Sequence, residues 1–532
     1  MTTHSSRRFR MLPRLRAAMR ILLPLVLLAA SPVTRAQDAS SKDQITISIL
    51  HINDVHAQNT PFMVTRTVDG ERRQFEVGGY ATVKGYVDSL RRLQPNSIFL
   101  HAGDDFQGTP ISSITKGASQ FELLALVRPD VMTIGNHEFD YGRANLEPMV
   151  RKAPFPIVSA NLFDRSKGDL FVKPFHIMTV AGVRIAVVGF APPDLASLTI
   201  RENVRELSVF EPVMTMMNLR HQLRVRENCD IIIALSHMGV EHDSALARGI
   251  EGIDVIVGGH SHTTLFKPIR LPGTVIVQAG ARGRYIGKLD LTLDAKTKKI
   301  IKSWGELIET RTDRVTPDAV VAAKVAELEA KVSTGLAEVI GTLGKDWKRA
   351  GGGRESNVGN WMSDAMRTHA GTDIAFQNSG GIRKDIPAGP ITLRDLWEIS
   401  PFGNELVTFT LTGAQLLRGL EHQAAKSREF AQVSGLRYSY DAARPEGQRL
   451  QVTVGGKPVD TARTYTAATN SFVGSHLWDY FLLPEKDVVA QPFNPPIVDR
   501  DLFIEAVRAQ KTITAELDGR IDIRRPTGEG SE

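Results

Sequence analysis

The sequence predicts a layered α/β protein in two domains joined by a helix, and three observations carry that expectation. Short apolar, β-branched runs recur through the first half, and amphipathic stretches of helical period lie between several of them. The runs stop in loops rich in Gly, Asp, Asn and His rather than in polar turns of general composition. Beyond a leader segment, about 500 residues remain, too many for one ordinary hydrophobic core.

The leader is residues 1–36. Six arginines between Arg7 and Arg20 precede an apolar stretch, Ile21 to Val33, and Thr34-Arg35-Ala36 supplies small residues for cleavage. That stretch is about half the length of a membrane span, so a cleaved export signal is expected rather than an anchor. Ser6-Arg7-Arg8-Phe9 offers only a weak twin-arginine pattern. The leader holds seven Arg and no acidic residue, so its removal takes the formal charge from +6 to −1. The basic balance therefore belongs to the leader and gives no support for a nucleic-acid partner. A lone cysteine, Cys229, excludes an internal disulfide and stands far from any lipid-anchor position. No stable membrane anchor is expected, and the compartment predicted is periplasmic or secreted; the sequence leaves the oligomeric state open.

The strands expected in the first domain, residues 37–312, are Ile45–Ile52, Ser97–Leu100, Val131–Ile134, Ile157–Ser159, Val183–Val188, Ile231–Leu235, Val255–Val257 and Val275–Gln278. Ala81–Leu93 is the clearest helix among them. Residues 313–343 form the connector: Pro317 to about Val339 is rich in Ala, Glu, Lys and Val, with Val320, Val325, Leu328 and Val332 at helical spacing. A glycine cluster, Gly351–Gly353, then lies near the start of a second, smaller α/β domain over 344–525, followed by a polar tail, 526–532.

Chemistry concentrates where the first-half strands stop. Asp54-Val55-His56, Gly103-Asp104, Gly135-Asn136-His137-Glu138, Ser236-His237 and Gly258-Gly259-His260-Ser261-His262 each follow a predicted strand. Open α/β sheets gather ligands at the carboxyl ends of their strands, so five such loops describe one site. Carboxylate, imidazole and amide without thiolate suit Zn²⁺, Mn²⁺ or Fe. Two cations a few ångströms apart need a shared carboxylate, and Asp104, in a glycine-flanked turn, is the natural bridge. His101 and Asp105 are read as packing or supporting groups.

This ordered set resembles the calcineurin-like metallophosphoesterases, in the spacing of their 5′-nucleotidase branch. The resemblance implies a layered β-sandwich-type domain flanked by helices, with two divalent metal ions. One would be held at Asp54, His56, Asp104 and His262, the other at Asp104, Asn136, His237 and His260. It also implies that His137 stands by the scissile phosphate, with Asp140 fixing its tautomer. A water of lowered pKa would attack phosphorus while His137 assists the leaving alkoxide.

The second half supplies substrate identity. Asn378-Ser379-Gly380-Gly381-Ile382-Arg383 places an amide, glycines and a guanidinium in one turn, and Pro401-Phe402-Gly403-Asn404 presents an aromatic face. These segments resemble the 5′-nucleotidase C-terminal domain, which implies phosphate contact by Arg383, nucleotide contact by Asn378 and a base clamp at Phe402. The second clamp segment departs from the family pattern. Phe472 and Asp479 are present, but the glycines are missing, the spacing is one residue longer, and Trp478 offers another ring. A family arginine is replaced by Gly352, for which Arg349 or Arg354 would compensate. The expected function is an exported phosphohydrolase acting on a small-molecule nucleotide, with UDP-sugars or 2′,3′-cyclic nucleotides as further substrates. The alternatives are the related thiosulfohydrolase of sulfur oxidation and a nucleotide-binding protein without turnover.

Overall fold

The computed structural model describes residues 43–68, 70–350, 354–425 and 430–525. The expected leader, the Gly351–Gly353 cluster and the polar tail lie outside the described residues. The described residues from Ile45 onward form one compact unit.

Two six-stranded sheets make the first half. One runs, in spatial order, Ile300–Glu309, Tyr285–Asp294, Gln44–Ile52, Ser97–His101, Val131–Thr133 and Ile157–Val158. The other runs Ile269–Leu271, Thr274–Val277, Val255–Val257, Ile231–Ser236, Val183–Phe190 and Phe175–Val180. The sheets pack through one core that takes Ile47, Ile49, Ile98, Leu100 and Val131 from the first and Ile185, Val187, Ile231, Ile233 and Leu235 from the second. Strand period explains the outer layer. Ile232 and Ala234 point the other way, into a second core with Met216 and Leu246 from the covering helices Pro212–His221 and Val240–Gly249. A strand buried on both faces has no polar side to show, which is why Ile231–Leu235 reads as an unbroken apolar run.

The catalytically suggestive loops share one edge because the strands before them are parallel. Ser48 to Ile52 pairs in register with Ser97 to His101, Leu100 and His101 with Val131 and Met132, and Ile233 to Leu235 with Val255 to Val257. Parallel neighbours end on the same side, so every loop that follows them emerges there.

The connecting helix is Ala319–Leu336, capped by the Asp318 side chain, which accepts from the Val320 and Val321 amides. Val321, Val325, Leu328 and Val332 face the first-half core, whereas Val320 is exposed. Val320 was the expected member of the stripe; it lies about 100° around the helix from Val321, which takes its place. The helix also ends earlier than expected. Gly335 has φ 92° and Val339 opens a strand paired with Gly389–Thr392.

In the second half a five-stranded sheet has the order Ala431–Ser434, Ile374–Asn378, Thr464–Asn470, Leu406–Thr412 and Gln491–Pro492. Helix Asn357–Ala370 covers one face and Gly413–Ala425 the other. The turn 378–383 leaves this sheet at the end of Ile374–Asn378. Two hairpins were not anticipated: Phe62–Val68 with Glu71–Val77, and Tyr285–Asp294 with Ile300–Glu309. The first is largely exposed, and its charged residues interrupt a weak alternation of apolar side chains. Cys229 is buried as expected, and burial pushes its thiol up. Among the described residues no helix is long and apolar enough to cross a membrane.

Candidate active site

Three of the five loops carry backbone that ordinary residues avoid. Asp54, His56, Asp104, His260 and His262 all have φ between 50° and 72°. Left-handed non-glycine residues are strained, and several in one place persist only where the surroundings over-determine them. Here the loops brace one another. The Asp54 amide donates to the Gly103 carbonyl, the His56 amide to the Asp104 carbonyl, and the His260 amide to the Asp54 carboxylate at 2.9 Å. The approach is so close that Gly135 admits no side chain: a Cβ there would lie 2.1 Å from Asp104 Oδ1.

This bracing brings the predicted ligands together. Three groupings place ligand atoms within 4.8 Å of one another: Asp54, His56 and His262; His56, Asp104 and His137; and Asp104, His237 and His260. Asn136 joins them, its Oδ1 3.0 Å from His260 Nδ1. Asp104 takes part in two of the three groupings, Asp54 in one.

The donor set fits divalent metal on its own chemistry. His237 Nδ1 donates to the Ala102 carbonyl at 2.6 Å, which leaves Nε2 with its lone pair. That Nε2 is buried, has no hydrogen bond and stands 3.0 Å from Asp104 Oδ2. With the imidazole neutral, two electron-pair donors would face each other there, an arrangement satisfied by a cation between them, whether a proton or a metal ion. His56 repeats it: Nδ1 faces the Phe106 carbonyl, while Nε2 is 2.8 Å from His262 Nε2.

The site's field is anionic and follows the same logic. Burial opposes charge on His237, yet Asp104 and Asp54 override it and push the imidazole up to about 10. His260, half-buried, is pushed down to about 4 by desolvation of its ring and by the neighbouring His237 charge. Beneath the loops, Glu138 accepts from the backbone amides of Asp104, Asp105 and Gly135 at 3.0, 2.6 and 2.7 Å. Burial and the Asp104 charge push its carboxyl up to about 7. Asp105 and His101 take the supporting role expected, with His101 Nε2 3.3 Å from Asp105 Oδ1 and Tyr80 donating to Asp105.

His137 donates from Nδ1 to Asp140 Oδ2 at 2.7 Å, and its amide donates to Asp104 Oδ1. Burial would lower this imidazole, but Asp140 and Asp104 outweigh it and raise the pKa. The ring stands at the wall of a cavity of about 670 Å³ between the two halves of the chain. From the first half Asp104, Asn136, His137, Asp140, His260 and His262 line it; from the second, Asn378, Gly380, Arg383, Phe402, Asn404 and Phe472 do. Phe402 stacks on His137 with ring centroids 5.7 Å apart, and the Arg383 guanidinium lies 5.6 Å from the Phe402 centroid. Burial, then Arg282 and Arg349, pull the Arg383 pKa down to about 10, still fully charged. Among the described residues Arg383 has no carboxylate partner within 4 Å.

Three predicted substrate residues stand elsewhere. Asp479 is outside the lining and pairs with Arg201 at 3.0 Å, because the missing glycines let Leu477–Phe481 form a short helix that turns it away. Arg354 is exposed and outside the lining; Arg349 reaches the cavity instead. Gly381 backs the turn without lining the cavity, since a Cβ there would lie 2.7 Å from Asn378 Oδ1. Trp478 is 51% exposed, and Tyr480 from the same helix lines the wall. Sequence reasoning missed Ser197 to Ile200, which also line the cavity. Ser197, Leu198, Thr199 and Ile200 are themselves of neither metal-ligand nor turn-forming pattern, so nothing in those four residues marked them.

The comparisons with known proteins agree with this geometry. The chain matches the model of the calcineurin-like phosphoesterases over residues 47–264 and that of the 5′-nucleotidase C-terminal domain over 339–481. It is 32% identical to the human 5′-nucleotidase over 454 residues, covering 76% of this chain and 77% of that protein. It is 26% identical to the endonuclease YhcR of Bacillus subtilis over 84% of this chain, but spans only 38% of that protein's length. The solved 5′-nucleotidase precursor of Thermus thermophilus superposes with a TM-score of 0.80 at 31% identity, over 91% of this chain and all of that one. The chain thus belongs to the 5′-nucleotidase family of calcineurin-like metallophosphoesterases, and it is a metal-dependent phosphoester hydrolase.

Proposed function

We propose that this protein is an exported nucleotide phosphohydrolase that releases phosphate from nucleoside 5′-phosphates. One observation carries the reading: a single cavity is walled by the carboxylate–imidazole cluster on one side and by Arg383, Asn378, Phe402 and Phe472 on the other. Asp54, His56, Asp104 and His262 would hold one divalent cation, and Asp104, Asn136, His237 and His260 a second. Such cations supply Lewis acidity toward phosphate and a water of lowered pKa.

The chain's own residues do the rest. Arg383, charged and with no carboxylate within 4 Å among the described residues, binds the phosphate, and the 378–383 turn lets it approach closely. His137, oriented by its Nδ1 donation to Asp140 and with its proton affinity raised by Asp140 and Asp104, carries in its protonated form a proton at Nε2 for the departing ester oxygen. Phe402 and Phe472 offer faces on which a base stacks, while Asn378 and Asn404 hold hydrogen-bonding groups in the wall. Residues 37–312 act as the chemical unit, 344–525 as the substrate-binding unit and 313–343 as the connector. Residues 1–36 direct the chain out of the cytoplasm and are then removed.

The test is phosphate release by the purified protein, stripped of metal and reloaded with Mn²⁺ or Zn²⁺, on 5′-AMP, ATP, UDP-glucose, 2′,3′-cyclic AMP and an aryl phosphate. A clear preference for nucleotides supports the reading. Equal activity on the aryl phosphate would remove the nucleotide assignment, and full activity after chelation would remove the metal mechanism.

A further inference from the structure

The connecting loop formed by the end of the short helix Leu195–Leu198, Thr199 and Ile200, and the 3-10 turn Arg201–Val204 belongs to the chemical half, yet it reaches the second half. Ser197, Leu198, Thr199 and Ile200 line the cavity shared with Phe402, Phe472 and Tyr480. Its two ends are bonded to the second half. The Ala196 carbonyl faces His476 Nε2 at 2.9 Å, and Arg201 Nη2 donates to Asp479 Oδ2 at 3.0 Å. His476 is fully buried, stacks 4.6 Å from the Phe472 ring and meets the Phe472 carbonyl through Nδ1. In its middle the loop also grips the proton-handling pair. Thr199 Oγ1 lies 3.4 Å from Asp140 Oδ1, the oxygen that His137 does not use, and Asn203 Nδ2 donates to the Asp140 carbonyl at 2.8 Å.

Resting on the nucleotide reading above, we propose that this loop is a bracket with two separable duties. Leu198 and Ile200 are specificity-determining residues that supply the chemical half's apolar wall for the base. Thr199 and Asn203 are positioning residues that hold Asp140, and through it His137, in register with that wall. Side chains alternate in direction along the segment. Leu198 and Ile200 are half-buried apolar side chains facing a cavity, and such side chains gain only when something apolar covers them. Thr199, between them, is buried and reaches Asp140. Of the outer anchors, the Arg201–Asp479 pair is partly exposed and contributes little to stability, so its effect is to set position. A base between Phe472 and the loop thereby meets a wall whose other face fixes the catalytic imidazole. The displaced Asp479 gains a role in the same device: turned out of the cavity, it anchors the loop through Arg201.

The experiment uses the full-length, metal-loaded enzyme with 5′-AMP and 4-nitrophenyl phosphate as paired substrates. In Leu198→Ser/Ile200→Ser the ratio of kcat/KM for 5′-AMP to that for the aryl phosphate falls about tenfold, carried by KM. The Kd of adenosine for the metal-free protein, which reads the wall without the cluster, rises by a similar factor. Thr199→Val lowers kcat about tenfold on both substrates and moves the pH–rate profile, and Thr199→Ser restores both. Ile200→Ala alone serves if the double variant does not fold. A wild-type enzyme that shows no preference between the substrates overturns the nucleotide reading. A wild-type preference that survives Leu198→Ser/Ile200→Ser, with adenosine binding unchanged, overturns the wall. An unmoved pH profile in Thr199→Val overturns the positioning role.

Discussion

The two walls of the cavity are built differently. On the chemical side, Asp54, His56, Asp104, His260 and His262 sit in left-handed backbone, and most of the donor atoms are buried in a mesh of loop-to-loop bonds. On the substrate side, Phe402, Phe472 and Tyr480 are held by side-chain packing, and the Arg383 guanidinium finds no carboxylate within 4 Å among the described residues. A metal tolerates small errors in ligand position poorly, so rigidity is needed where the bonds to phosphorus change. A base stack tolerates shift and rotation, so its wall can be assembled from adaptable rings.

The largest expected effect breaks the rigid side. Asp104→Ala or His260→Ala should lower kcat by about 10³-fold or more while circular dichroism stays native, with metal content measured on the same samples. A variant that keeps its metal and its turnover would mean the two walls are not divided as described. Next, Asp140→Asn should cost about 10²-fold in kcat with KM little changed, because His137 loses the partner that fixes its tautomer. Phe402→Ala sharpens the contrast from the other wall. It should reduce kcat/KM for 5′-AMP about tenfold and do less to an aryl phosphate, measured by initial rates.

The smallest effect is on stability and concerns Asp499, which packs behind the cavity with its amide bonded to the Asn404 carbonyl. Burial raises this carboxyl from 3.8 to about 7. Between those values the folded chain holds a proton that the unfolded chain has lost, so this group makes stability fall as pH rises through that window. Asp499→Asn should flatten the decline, read as Tm against pH. A decline of unchanged slope would place its origin elsewhere.

Legibility in the sequence followed the same division. Metal chemistry permits few residue types, so Asp54, Asp104, Asn136, His237 and His260 announce themselves at strand ends. The parallel strands that gather them carry apolar runs such as Ile231–Leu235 that are equally plain. Apolar wall residues carry no such mark. Leu198 and Ile200 are indistinguishable by type from the core, and Asp479 and Arg354 matched a pattern whose local geometry this chain has changed. The hairpin of Phe62–Val68 and Glu71–Val77 went unread because Arg66, Arg72 and Arg73 interrupt its apolar alternation.

The sequence by itself determined the layered α/β class and the chemistry of the loops, because strand period and ligand type are local properties of the chain. Only the tertiary structure decided which residues share the cavity. Closing a wall from residues 197–200, 378–383, 402 and 472–480 depends on how two separately folded sheets meet, and no periodicity within either one encodes that meeting.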